Sequence, residues 1–171
     1  IGRPADLDRV IDAAEDLAKS LKATKWQDEA IRVKVDKREK LSPGFKFNNW
    51  EMKGACLRIE LGPRDLESGS CVLASRLGGE KESISLDQVG SVICSKLDEF
   101  REANTGRVDT WEEFVAAFEG DGGGGFILAH WDGTEETEEA ISEATKATIR
   151  CLPMVALAEG DNEPGVCVFS G

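Results

Sequence analysis

Histidine is almost absent from this chain of 171 residues: there is one, His130. With one histidine no Ser/His/Asp arrangement stands out, and no glycine-rich phosphate loop is present, so nothing supports a free-standing small enzyme. A lone histidine at a strand end reads as a hydrogen-bonded structural residue rather than a base. No stretch approaches the ~18 apolar residues that a membrane helix needs. No basic-then-apolar signal segment opens the sequence. The five cysteines, Cys56, Cys71, Cys94, Cys151 and Cys167, are odd in number and far apart. Most fall in apolar runs, so they read as reduced core residues of a cytosolic protein rather than as a disulfide framework. Positive charge is scarce as well: 21 Lys and Arg against 33 Asp and Glu give a net charge of −12. That argues against non-specific nucleic-acid binding by the chain as a whole.

The 40% hydrophobic and 32% charged residues are ordinary for a globular chain, and the length allows one domain or two small ones with a real core. The charge is unevenly spread. Residues 31–64 carry nine basic and four acidic side chains, whereas residues 105–171 carry three and 14. A polyanion is drawn to the first window and repelled by the last.

Leu7, Val10, Ile11, Ala14, Leu17, Ala18 and Leu21 recur at helical spacing, which predicts an amphipathic helix over 6–23. Ile31, Val33 and Val35 alternate with polar residues and predict a strand. After Pro43-Gly44 a short helix is expected from Phe45 to Lys53, ended by Gly54 in a left-handed cap. Leu57, Ile59 and Leu61 predict a second strand, broken at Gly62-Pro63. Residues 71–76 and 82–86 read as strands about a Gly78-Gly79 turn, and 86–101 as helix. A second unit begins near Asn104–Gly106. Thr110 and Glu113 form a capping box ahead of Trp111, Phe114, Val115 and Phe118. Gly122 to Gly125 turn into a strand at Phe126–Ala129, an acidic helix follows over 134–145, and Thr148–Leu152 is expected to be a strand. Helix and strand alternate in both halves, which is α/β architecture.

Residues 36–66 carry the most chemistry. The predicted helix presents Lys46 and Lys53, and on a shared side Phe47 and Glu51. The following strand places Arg58 and Glu60 on one face, and the turn delivers Arg64. Flat rings stack on bases, guanidinium forks donate to base-edge acceptors, a carboxylate accepts from guanine N1 and N2, and lysines hold phosphates. Such a set suits unpaired bases. The plainer alternatives are that Phe47 and Trp50 pack the helix on the sheet, and that Glu51 forms a surface ion pair with Arg58 or Lys53.

The runs Arg38, Ser42-Pro43-Gly44-Phe45-Lys46-Phe47, Trp50-Glu51-Met52-Lys53-Gly54 and Arg58-Ile59-Glu60-Leu61-Gly62-Pro63-Arg64-Asp65 closely resemble prolyl-tRNA synthetases of the archaeal and eukaryotic type. The resemblance continues through Arg101-Glu102-Ala103-Asn104, Trp111-Glu112-Glu113-Phe114, Ala129-His130-Trp131 and Ala147–Pro153, nearly the whole chain. It implies a class II synthetase anticodon-binding domain, a mixed sheet flanked by helices, over 1–103, with its first strand expected to be missing. A small α/β C-terminal domain over 104–171 follows. Phe47, Glu51, Arg58 and Arg64 are implied to contact the anticodon of proline tRNA, and Arg38, Lys46 and Lys53 its backbone. The implied catalytic domain, with its ATP, magnesium and proline sites, is not in this chain. The chain alone is therefore expected to be inactive, with no catalytic residue and no cofactor of its own. The implied parent is a cytoplasmic homodimer that engages neither membrane nor DNA.

In the family the small domain often holds zinc through four cysteines. The matching positions here are Asp132, Thr137, Cys167 and Ser170, so no zinc is expected. The competing reading is a stand-alone RNA- or protein-binding accessory module with the same fold.

Overall fold

The computed structural model describes residues 4–119, 125–152 and 163–171. The chain divides into two compact units, Ile1–Arg101 and Glu102–Gly171. Helix α1 (Pro4–Ala23) opens the first. A two-residue antiparallel ladder, β1 (Lys25–Trp26) with β2 (Glu29–Ala30), turns through Gln27 and Asp28, both at positive φ. Helix α2 spans Pro43–Met52. Strand β3 (Leu57–Glu60), helix α3 (Pro63–Ser68), strands β4 (Ser70–Ser75) and β5 (Glu82–Ser85), and helix α4 (Val89–Ala103) follow. The last residues of α4 cross into the second unit. There β6 (Thr105–Arg107), α5 (Trp111–Phe118), β7 (Phe126–Leu128) and α6 (Glu135–Thr145) complete the set.

In the first unit the sheet order is β3-β4-β5, antiparallel throughout. Ile59 lies opposite Leu73 and Cys71 opposite Ile84, so one face of the sheet is apolar. That face packs with Leu21 of α1 and with Val89 and Ile93 of α4 into a buried core. Complete burial of a side chain such as Val89 contributes about 1.5–3 kcal/mol. The core of the second unit is Phe114, Ile141 and Val168, ringed by Trp111, Ile127 and Trp131, beside the parallel pair β6–β7.

Two expected strands are absent. Ile31, Val33 and Val35 alternate in burial with Arg32 and Lys34 as predicted, but residues 31–38 form no ladder. Val33 and Val35 line, together with Leu57, Ile59 and Leu61, a cleft of about 880 Å³. β3 is an edge strand, and among the described residues the 31–38 segment pairs neither with it nor with another strand. Thr148–Leu152 is likewise not a strand: its residues are exposed, and β6 and β7 pair with each other instead. Gly62-Pro63 breaks the strand as expected, since β3 ends at Glu60, and it also opens α3, a helix not expected from the sequence. Pro63 sits in the first turn, where its missing N–H costs nothing, and Asp65 Oδ2 accepts from Gly62 N at 2.8 Å. Of the four turn glycines 122–125, only Gly125 lies among the described residues.

The cap of α5 follows the expected pairing. Glu113 N donates to Thr110 Oγ1 at 3.3 Å, and the Glu113 carboxylate accepts from the amide of Asp109, one residue before the cap, at 3.2 Å. Thr110→Ala is expected to destabilise the chain by about 1 kcal/mol in urea unfolding. An unchanged midpoint and slope would mean that the cap is idle.

Candidate nucleic-acid interface

Helix α2 begins where the sequence supplies a stop and a start together. Ser42 Oγ accepts from Phe45 N at 3.4 Å, and Pro43 fills the first turn. The helix ends where Ala55 N and Gly54 N return to Trp50 O and Glu51 O, with Gly54 at φ 84°. This short closure sets Glu51 of the last turn beside Arg58 of β3.

Four of the side chains singled out by sequence, with one that was not, meet here. The Arg58 guanidinium lies over the Phe47 ring, 4.0 Å from its centroid. Arg58 Nη1 donates to Glu51 Oε1 at 2.6 Å, and Nε donates to Glu60 Oε1 at 3.0 Å. Lys81 Nζ donates to both Glu60 oxygens, at 2.7 and 3.0 Å, and lies 5.6 Å from the Phe47 ring centre. Burial opposes ionisation of Glu60, but Lys81 and Arg58 outweigh it and hold its carboxyl below the usual range. The plainer reading of Glu51, a pair with Arg58, thus describes this ligand-free arrangement. Arg58 still has donors to spare, since Nη2 makes no hydrogen bond among the described residues, and the second oxygen of Glu51 is equally uncommitted. Ring, fork and carboxylate stand together with open hydrogen-bonding capacity.

Sequence reasoning missed Lys81. Its approach follows from register: Arg58 pairs with Ala74 and Glu82 with Leu73, so Lys81 falls one step on, opposite Ala74. The small Ala74 between them leaves both long side chains on one sheet face. The signal was in the hairpin spacing, but only once the register is fixed.

Arg64 is exposed in the first turn of α3, and no contact among the described residues joins it to the cluster. Arg38 is a strut. Its Nε and Nη2 bind Asp36 at 2.9 and 2.6 Å, and Nη2 also reaches Asn49 Oδ1 at 3.1 Å. Asp36 further accepts from Trp50 Nε1 at 2.8 Å, and its carbonyl receives Lys46 Nζ at 3.5 Å. Arg38, working against slight burial, together with Trp50 holds the Asp36 carboxyl well below the usual carboxylate range. Trp50 is therefore a packing and anchoring residue of α2. Lys53 is exposed and lies 4.9 Å from the Trp50 ring centre.

A ring, a guanidinium and a carboxylate on one rim of an α/β unit are groups able to stack on and hydrogen-bond an unpaired base. The chain belongs to the anticodon-binding domain family, whose model matches residues 5–96, and residues 111–171 match the model of the prolyl-tRNA synthetase C-terminal domain. It is 42% identical over 152 residues to the proline–tRNA ligase of Bacteroides fragilis, covering 82% of this chain and 30% of the relative. It is also 42% identical over 177 residues to that of Chloroherpeton thalassium, covering 95% of this chain and 35% of the relative. Among solved structures, prolyl-tRNA synthetase of Giardia lamblia in complex with prolyl-adenylate aligns with 28% identity and a TM-score of 0.47, over 96% of this chain and 36% of that one. The chain thus spans about a third of the length of these relatives. No helix among the described residues is long and apolar enough to cross a membrane.

Proposed function

We propose that this chain is the anticodon-reading part of a proline–tRNA ligase. The observation that carries the proposal is the Arg58 fork, stacked on Phe47 at 4.0 Å and bracketed by Glu51 at 2.6 Å. A guanine entering this rim stacks on the ring or on the guanidinium plane. Arg58 donates to O6 and N7, and Glu51 accepts from N1 and N2. Adenine offers an amino group where guanine has O6, so neither contact suits it. Arg64 extends the contact from α3. Lys46, Lys53 and the exposed side of Arg38 hold phosphates, a role that the local surplus of positive charge over 31–64 supports.

The same proposal assigns proline activation, with ATP and magnesium, to a catalytic domain outside residues 1–171, and places the whole enzyme in the cytoplasm as a homodimer. It takes 1–103 and 104–171 as the two domains and the apolar cleft beside β3 as the seat of one further strand. Binding of proline tRNA, compared with the same tRNA bearing adenine for an anticodon guanine, tests the reading. Preference for the guanine form is expected, and equal affinity would overturn it.

Charge supplies a second check. Each phosphate contact removes about 0.7–0.9 units from the slope of log affinity against log salt. Lys46→Ala/Lys53→Ala is expected to flatten that slope by about one to two units. An unchanged slope would place both lysines away from the RNA.

A further inference from the structure

Four side chains from two segments far apart in the sequence converge in the second unit. Asp132 Oδ1 accepts from Thr137 Oγ1 at 2.6 Å, and from the amide and hydroxyl of Thr134, each at 3.0 Å. Asp132 Oδ2 accepts from Ser170 Oγ at 2.8 Å. Ser170 N points at Cys167 Sγ, 3.5 Å away, and Gly171 N donates to Cys167 O at 2.9 Å, which closes a tight final turn. Thr137 Oγ1 in turn accepts from Trp131 Nε1 at 2.8 Å, tying the cluster to the core. The final segment is also held at Val168, whose amide donates to His130 O at 2.8 Å. Gly165 runs so close to the His130 ring that a Cβ there would collide with it.

These are the four positions at which the family resemblance leads one to expect zinc thiolates, and the donor set does not fit a zinc ion. A structural zinc centre is a closed tetrahedron of thiolates and imidazoles. Here there is one thiol, one carboxylate and two hydroxyls, and both hydroxyls donate to the carboxylate. Among the described residues no group of three His, Cys, Asp or Glu is placed to hold a metal.

We propose that Asp132 is the closing group of the second unit: a carboxylate, held by the hydroxyls of Thr137 and Ser170, that fastens the final turn at Cys167–Gly171 to the start of α6 without a metal. A metal closes such a site by attracting four anions. Here one anion attracts hydroxyl and amide protons arriving from both segments. Charge-assisted hydrogen bonds of this kind are about twice as strong as neutral ones. The turn at Cys167 also aims the Ser170 amide at the sulfur. The inference is independent of the RNA-binding reading.

Three measurements test it. The chain loaded with zinc and then dialysed is expected to hold no stoichiometric metal. The Asp132→Cys/Thr137→Cys/Ser170→Cys variant, with the native Cys167, is expected to bind one cobalt(II) with thiolate charge-transfer and tetrahedral ligand-field bands. One zinc per unaltered chain, or no tetrahedral cobalt in the triple variant, would overturn the proposal. Asp132→Ala is expected to speed amide exchange at Val168 and Gly171 about tenfold, the equivalent of one charge-assisted hydrogen bond, with exchange in α1 unchanged. If Asp132→Ala unfolds the unit, Ser170→Ala, which removes only one of the hydrogen bonds to Asp132, is expected to speed the same amides by a smaller factor. Unchanged exchange in a folded variant would also overturn it.

Discussion

Arg58→Ala, in a proline–tRNA ligase carrying this chain, is expected to lower charging of proline tRNA roughly 5- to 150-fold. That corresponds to the ~1–3 kcal/mol carried by one bidentate arginine–guanine contact. Activation of proline by ATP is expected to stay near normal, because the proposed function puts that chemistry in another domain. Discrimination against adenine in the anticodon is expected to shrink in the same variant. Arg58 also pairs with Glu51 and Glu60, so its removal disturbs the rim itself. Glu51 is half exposed, so solvent screens that pair and its share of stability is small, about 0–1 kcal/mol. Arg58→Lys separates the two roles. It keeps a positive charge for the two glutamates but not the planar fork, so it is expected to preserve stability and still lose discrimination. If Arg58→Ala charges tRNA normally and only melts earlier, Arg58 is an ion-pair strut and the anticodon assignment fails at this strand.

The parts legible in the sequence were those fixed by local rules. Helix α1 followed from apolar residues at helical spacing, and the end of α2 from Gly54, but α2 starts at Pro43, two residues before the expected Phe45, because Ser42 caps it and proline suits a first turn. The meeting of Arg58 with Glu51 was also readable, because Gly54 forces a short return from helix to strand. Contacts that depend on register or on a missing neighbour were not readable. Residues 31–35 keep a strand's alternation but lack a strand beside them, and alternation alone cannot report that. Lys81 lies far from Phe47 in sequence and reaches it only through the pairing of β3, β4 and β5. Pro63 does break the strand, and that it equally suits a helix start, the signal for α3, went unread. Arg38 shows the opposite difficulty. Its charge suggests a phosphate contact, but charge alone does not announce that its fork also binds an aspartate two residues away.

That aspartate sets the second large effect. Asp36 receives Arg38 and Trp50 together, and Trp50 belongs to the helix that carries Phe47 and Glu51. Asp36→Ala leaves the half-buried indole N–H without its acceptor, and is expected to cost about 2–3 kcal/mol in urea unfolding. Asp36→Asn keeps an oxygen for Trp50 but loses the charge that holds Arg38. It is expected to cost less, because Arg38 is 43% exposed and screened. The sign of the pH dependence follows from the depressed Asp36 carboxyl. A carboxylate of lowered pKa contributes stability that is fully present above its unfolded value, about 3.9, and is lost as pH falls toward the folded value. The gap between wild type and Asp36→Asn is therefore expected to be constant from neutral pH to about pH 5 and to narrow below about pH 4. A gap that stays constant through this acid range would mean that the Arg38 pair contributes nothing. Because α2 is anchored through Trp50, Asp36→Ala is also expected to weaken guanine preference without touching a base. Full preference in a destabilised Asp36→Ala chain would show that β3 alone, and not the seating of α2, orients the rim.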